Sequence, residues 1–162
     1  MIRNRYSELR AYIENRLPQL GLLQEQIDGD IDEISLAEGG HNETESGYHL
    51  CTFRYTGRIY IERLSAVQLP LLLLYVRSWL DEYDDTRGKY NLSDPAVDVI
   101  PLDPEKMIDV MVKTEFADEV FLSPVEHAGN ETLEWDGRHF DVSPYVVDYA
   151  ERGVVNDAPT EA

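Results

Sequence analysis

Near the start of the chain, Tyr6, Leu9, Ile13 and Leu17 lie three and four positions apart. That interval places one apolar stripe on a helix from about Asn4 to Leu17. Pro18 ends it, because a proline inside a helix loses a hydrogen bond and clashes with the turn before it. Leu20, Leu22, Leu23 and Ile27 mark a weaker second element ahead of DGDIDEISL. Residues 37–47, AEGGHNETESG, show no apolar period and two adjacent glycines, the composition of a mobile surface loop. From Tyr48 to Tyr55 β-formers dominate, and RIYIERL prolongs the strand pattern past Gly57 through a bulge or turn.

The strongest helical signal follows. Ser65 and Gln68 have the spacing of a capping box, and Pro70 stands in the first turn, where a missing N–H costs least. Leu69, Leu72, Leu73, Val76, Trp79, Leu80 and Tyr83 make the main stripe, while Leu71, Leu74 and Tyr75 make the first half apolar nearly all round. A helix of that kind is expected to be sandwiched between a sheet and a neighbouring element. DEYDD and RGKYN end it. Ile108, Val110, Val112, Thr114 and Phe116 then alternate with Asp109, Lys113 and Glu115, the clearest strand in the chain, and VFL continues it after ADE. LEWDGRHFDV predicts a hairpin around Asp136-Gly137, the pair that a type I′ turn favours. The order predicts an α+β domain, a mostly antiparallel sheet packed against a long buried helix and an N-terminal helix. One domain over residues 1–145 is expected, with 146–162 as a polar C-terminal extension, a flexible or interface arm.

Length agrees with one domain, since 162 residues bury about 70% of their unfolded surface in a single core. Cys51 is the single cysteine, which removes any intramolecular disulfide and any all-cysteine zinc site; within a strand pattern it reads as a small buried hydrophobe. The N-terminus lacks the apolar core of a secretion signal, and LPLLLLYV is too short to span a bilayer, so a soluble cytoplasmic protein without membrane partners is expected.

Charge changes the picture more. With 14 basic and 32 acidic residues the net charge is −18. That balance opposes binding of nucleic acid, whose phosphates are held by Lys and Arg. Residues 1–16 are the exception, with Arg3, Arg5, Arg10 and Arg16 against Glu8 and Glu14. A mildly basic first helix on an acidic body suits contact with a neighbouring copy, and the blander alternative is a solvated face.

Candidate chemistry comes to little. Asp28, Asp30 and Asp32 occupy the first ligand positions of a calcium loop, but Glu33 stands where the turn needs glycine and Gly39 where a bidentate glutamate is needed. His41, His49, His127 and His139 show no ligand spacing, and Asp81, Glu82, Asp84 and Asp85 have the composition of a solvated helix end. No phosphate loop, G-x-S-x-G or Cys–His pairing is present. An enzyme is not expected, and neither is a cofactor or metal.

YHLCTFRYTG, the helix closing on VRSWLDEY, IDVMVKTEFADEV and the hairpin ETLEWDGRHFDV succeed one another as in tail completion proteins of contractile-tailed phages. The chain resembles that family over roughly residues 48–142, with Tyr48, Gly57 and Trp79-Leu80 as markers. It departs in the added RIYIERL, and residues 18–47 have no counterpart in the resemblance. These proteins belong with the tail terminators, and related collar proteins occur in R-type tail-like bacteriocins. The resemblance implies a subunit of a hexameric ring that caps the tail tube, stops its growth and holds the top of the sheath. Its partners would be further copies, the tube and sheath proteins and, in a phage, the head connector. It would reside in the host bacterial cytoplasm during assembly, then at the head-side end or collar of the particle. A ring needs two different complementary patches on each subunit; Arg3, Arg5, Arg10 and Arg16 are candidates for one. Two other classes remain: an acidic DNA mimic that inhibits a DNA-binding enzyme, and a metal-dependent hydrolase built on the aspartates.

Overall fold

The computed structural model describes residues 4–102, 106–126 and 133–143. Three helices are formed among them, α1 (Arg5–Glu14), α2 (Leu17–Leu20) and α3 (Leu69–Tyr83). The strands are β1 (Ile27–Glu38), β2 (Glu43–Thr44), β3 (Gly47–Ser65), β4 (Ala96–Leu102), β5 (Met107–Val125), β6 (Leu133–Trp135) and β7 (Arg138–Ser143). They pair in the order β1-β3-β5-β7-β6, with β2 added to β3 and β4 to β5. The β2–β3, β4–β5, β5–β7 and β6–β7 pairs are antiparallel, as expected of this α+β class. Two compact units divide the chain, and β3 and β5 contribute residues to both. One comprises Arg5–Ala37 with Phe53–Asp118; the other holds Glu38–Thr52 and the described residues after Asp118.

The first unit holds the main core. Tyr6, Leu9, Ile13 and Leu17 are all buried, so the N-terminal stripe does what its spacing requires. The helix expected to run to Leu17 stops at Glu14; Leu17 begins α2, and Pro18 lies in the first turn of α2, where its missing N–H is harmless. On β3 the inward residues Tyr55, Gly57, Ile59 and Ile61 keep a period of two, with no turn at Gly57. Arg63 then takes φ 57°, and the phase shifts so that Leu64 is buried in its place. On β5 Ile108, Val110, Val112, Thr114 and Phe116 are buried as predicted, and the inward parity runs on through Asp118, Val120 and Leu122.

Tyr6 shows why two glycines stand in the sheet. Its hydroxyl donates to the Arg58 carbonyl at 2.8 Å, across the backbone where Gly29 of β1 and Gly57 of β3 lie. A methyl group at Gly57 would overlap the Tyr6 ring and come within 3.1 Å of Phe116. Gly57→Ala is therefore expected to cost about 1 to 3 kcal/mol by overpacking. Urea unfolding checks it, and an unchanged midpoint would mean that Tyr6 is not seated on this glycine.

Several expectations are corrected. DGDIDEISL is strand β1, and the 37–47 segment carries the end of β1 and the short β2, whose Thr44 faces Gly47 in a hairpin. Ala96–Leu102, not foreseen as an element, is strand β4. The Ser65–Gln68 capping box does not form, because Ala66–Gln68 is a 3-10 turn and Ser65 makes no side-chain cap. The Ala66 N–H is instead bound by the Lys106 carbonyl at 2.9 Å. Pro70 does sit in the first turn of α3. That helix is not sandwiched: Leu72, Val76, Trp79 and Leu80 are buried, but Leu74 stays 64% exposed. In the second unit Asp136 and Gly137 both take positive φ, 53° and 73°, which is the predicted type I′ hairpin. The proposed arm, residues 146–162, lies outside the described residues.

Candidate functional site

The most organised polar group surrounds Arg5, the first residue of α1. Its Nη1 donates to Asp118 Oδ1 at 3.0 Å and its Nη2 to Asp85 Oδ1 at 2.9 Å. Nε lies 3.2 Å from Asp84 Oδ1, an ion pair by distance that lacks hydrogen-bond alignment. Burial pulls the guanidinium pKa down, but the hydrogen bond and charge of Asp118, with Asp84 and Asp85, outweigh it and hold Arg5 above its ordinary value. The side chains of Asp84 and Asp118 are fully buried, whereas Asp85 is in solvent.

Local sequence places each partner. Asp118 continues the inward parity of β5. Asp84 is the residue that ends α3, and its Oδ1 accepts from both the N–H and the hydroxyl of Thr86. Arg87 pairs with the other oxygen of Asp84 at 3.2 Å and donates to the carbonyls of Glu115 and Ser93. The Tyr55 hydroxyl donates to Asp118 Oδ2 at 2.5 Å and accepts from the Tyr6 N–H at 3.3 Å. Helix α1, strands β3 and β5 and the end of α3 are thereby tied at one point. The expectation of a solvated helix end fails for Asp84. Asp118 and Tyr55 were missed, although an aspartate on the apolar side of a strand alternation is itself a signal of a buried partner.

The other N-terminal arginines have different surroundings. Arg10 lies 3.5 Å from Glu14 and 3.8 Å from Asp28 of β1. Arg16 donates to the Tyr12 carbonyl at 2.9 Å and stacks 3.4 Å from the centre of the Tyr12 ring, which itself meets Tyr75 of α3 edge to face. Arg3 lies outside the described residues.

Among the described residues no cluster of three or more His, Cys, Asp or Glu is placed to hold a metal ion. Asp30 and Asp32 engage Arg58, at 2.7 and 3.3 Å. Cys51 is half-buried, and burial pushes its thiol pKa up, which disfavours the reactive thiolate. His49 accepts from the Gly40 N–H and bonds Thr52, so both ring nitrogens are used structurally. His41 bonds the Tyr48 hydroxyl, His139 lies on β7, and His127 falls outside the described residues.

What remains is surface. A hollow of about 620 Å³ has Glu25, Asp28, Glu62, Asp98 and Asp109 around Tyr60 and Met111. An apolar groove of about 550 Å³ runs between α3 and β4, lined by Pro70, Leu73, Leu74, Pro95 and Val97. In the second unit Trp135, partly exposed, packs against Tyr48 with the rings tilted and their centres 5.4 Å apart. No helix among the described residues is long and apolar enough to cross a membrane.

These features define an α+β sheet protein whose organised charges serve to hold the subunit together. The chain belongs to the P2 phage tail completion protein R (GpR) family, whose sequence profile matches residues 3–139. The match therefore takes in residues 18–47, which the resemblance in the sequence had left unassigned. No curated protein and no solved structure matches the chain. It is thus a phage tail component that associates with other tail proteins and resides in the virion after assembly.

Proposed function

We propose that this chain completes a contractile tail by closing the end that faces the head. Copies join as a ring, of about six if it follows the tail terminators, since a heterologous contact whose rotation closes gives a finite ring. The ring caps the last ring of tube protein, stops tube growth and holds the end of the sheath as a collar. In a phage its free face meets the head connector; in a headless R-type bacteriocin it is the terminus. Residues 1–145 act as the terminator domain and 146–162 as an arm on a neighbouring subunit. The match to a tail completion family across residues 3–139 carries this proposal.

Nothing in the comparisons favours the acidic DNA mimic. Asp30 and Asp32 are engaged by Arg58, Asp81 and Asp94 by Arg77, and Asp84, Asp85 and Asp118 by Arg5, so these seven carboxylates are tied within the subunit.

The test is tail assembly in cells that lack this chain. Electron microscopy is expected to show over-long tubes with a loose sheath end, restored by the purified protein. Tails of normal length and finish without it would end the proposal.

The arginines of the first helix are part of the proposed ring contact: Arg3, Arg10 and Arg16 reach a neighbour while Arg5 holds the helix start. Arg10→Glu with Arg16→Glu is expected to weaken ring assembly at least tenfold, about 1.4 kcal/mol. The monomer should lose no more than about 1 kcal/mol, chiefly the Arg16 contact with Tyr12. Sedimentation reads the first and thermal melting the second. Normal rings from the double reversal would remove this helix from the interface.

A further inference from the structure

In the first unit β5 pairs with β3 on one side and with β4 on the other, and β3 pairs outward with β1. Strands β1 and β4 are therefore the opposite edges of that part of the sheet, and no further strand covers either among the described residues. An open edge offers a row of unpaired N–H and C=O groups, and proteins usually guard it with charge or proline. Both edges are guarded over only part of their length. Five carboxylates, Asp28, Asp30, Asp32, Glu33 and Glu38, protect β1, but the stretch Ile34–Ala37 between them carries no charge. There Ile34 and Leu36 are 67% and 69% exposed. On β4 Pro101, near one end, has no N–H to offer a further strand, Asp98 is the single charge, and Val97, Val99 and Ile100 are exposed.

We infer that Ile34–Ala37 of β1 in one copy pairs edge to edge with Ala96–Ile100 of β4 in the next copy, so that the sheet continues from subunit to subunit. The inference rests on the ring proposed above, and it adds to the first helix a pair of complementary edges of the kind such a ring needs. Charge selects a second copy as occupant. Two chains of −18 each repel, so they meet where acidity is least, and these are uncharged or nearly uncharged stretches of four and five residues. One junction also satisfies both kinds of edge at once, because each subunit gives β1 on one side and β4 on the other. A foreign strand on either edge would leave the other open. The two patches differ, so the contact is head-to-tail and propagates until it closes.

The test uses the full chain, free and on purified tail ends, with two variants. One carries Ile34→Lys and Leu36→Lys on β1; the other carries Val99→Lys and Ile100→Lys on β4. All four side chains are exposed, so both variants should melt as the wild type does. By sedimentation the wild type is expected to form a multimer, in solution or on the tail ends, and each variant alone a monomer. Mixed in equal amounts, the variants should form dimers and nothing larger, because only one good β1 edge and one good β4 edge remain in each mixed pair. A multimer from either variant, a mixture that stays monomeric, or a wild type monomeric both free and on tails would overturn the pairing. Variants that assemble and still limit tail length would sink the edge contact alone. Variants that do not assemble and yet limit tail length would instead refute the capping ring.

Discussion

Replacing Arg5 with methionine is expected to lower stability by about 3 kcal/mol, the lower end of the range for breaking a buried ion pair. The substitution leaves the carboxylates of Asp84 and Asp118 fully buried with one cation fewer. Residual partners limit the loss, since Asp118 keeps the Tyr55 hydroxyl and Asp84 keeps Thr86 and Arg87. Asp85 adds little, being exposed. Adding Asp118→Asn to Arg5→Met should recover part of the deficit, because it removes one of the stranded charges. Denaturant unfolding of the two single variants and the double closes the cycle. Strict additivity would show that Arg5 and Asp118 act independently, and the tie between α1 and β5 would lose its energetic basis.

Trp79→Ala is expected to cost about 3 to 5 kcal/mol, through lost apolar burial and the cavity left behind. Trp79 is buried in the stripe of α3 with Leu72, Val76 and Leu80, and its ring meets Tyr83 at 5.9 Å between centres. For a domain of this size such a loss moves the melting temperature by about 10 °C or more. A melt shifted by only a degree or two would mean that the helix can be loosened without loss of the core. Leu74→Ala on the exposed side of the same helix serves as the contrast and should barely move it.

The elements legible in the sequence were those whose signal is local. Stripes at Tyr6–Leu17 and Leu72–Leu80, the alternation of β5 and the Asp136-Gly137 turn each arise from a short stretch and a single period. Strand β1 shows why others were not. Ile27, Gly29 and Ile31 alternate with Asp28, Asp30 and Asp32, a period of two that also resembles a failed calcium loop. What makes it a strand is distant: Tyr6 seats over Gly29, and Arg58 of β3 takes two of the aspartates. Strand β4 is short and exposed and contains a proline, so nothing in its own pattern marks it; its register against Met107–Lys113 does. Of the proposed contact residues, the basic character of the first helix was plain, but not that Arg5 alone among the described arginines there enters a buried acidic group.

The sequence by itself determined the α+β class, the buried faces of α1, α3 and β5 and the final hairpin, because apolar period and turn chemistry act between near neighbours along the chain. The tail completion family was also readable there, through the order of its strand, helix, strand and hairpin. Tertiary structure alone decided that Asp84 and Asp118 share Arg5, that α3 keeps Leu74 uncovered, and that β1 and β4 are the edges of the first unit's part of the sheet, each with a stretch of little or no charge. Ion pairs, uncovered faces and sheet edges are set by which distant residues meet, and no interval along the chain encodes that meeting.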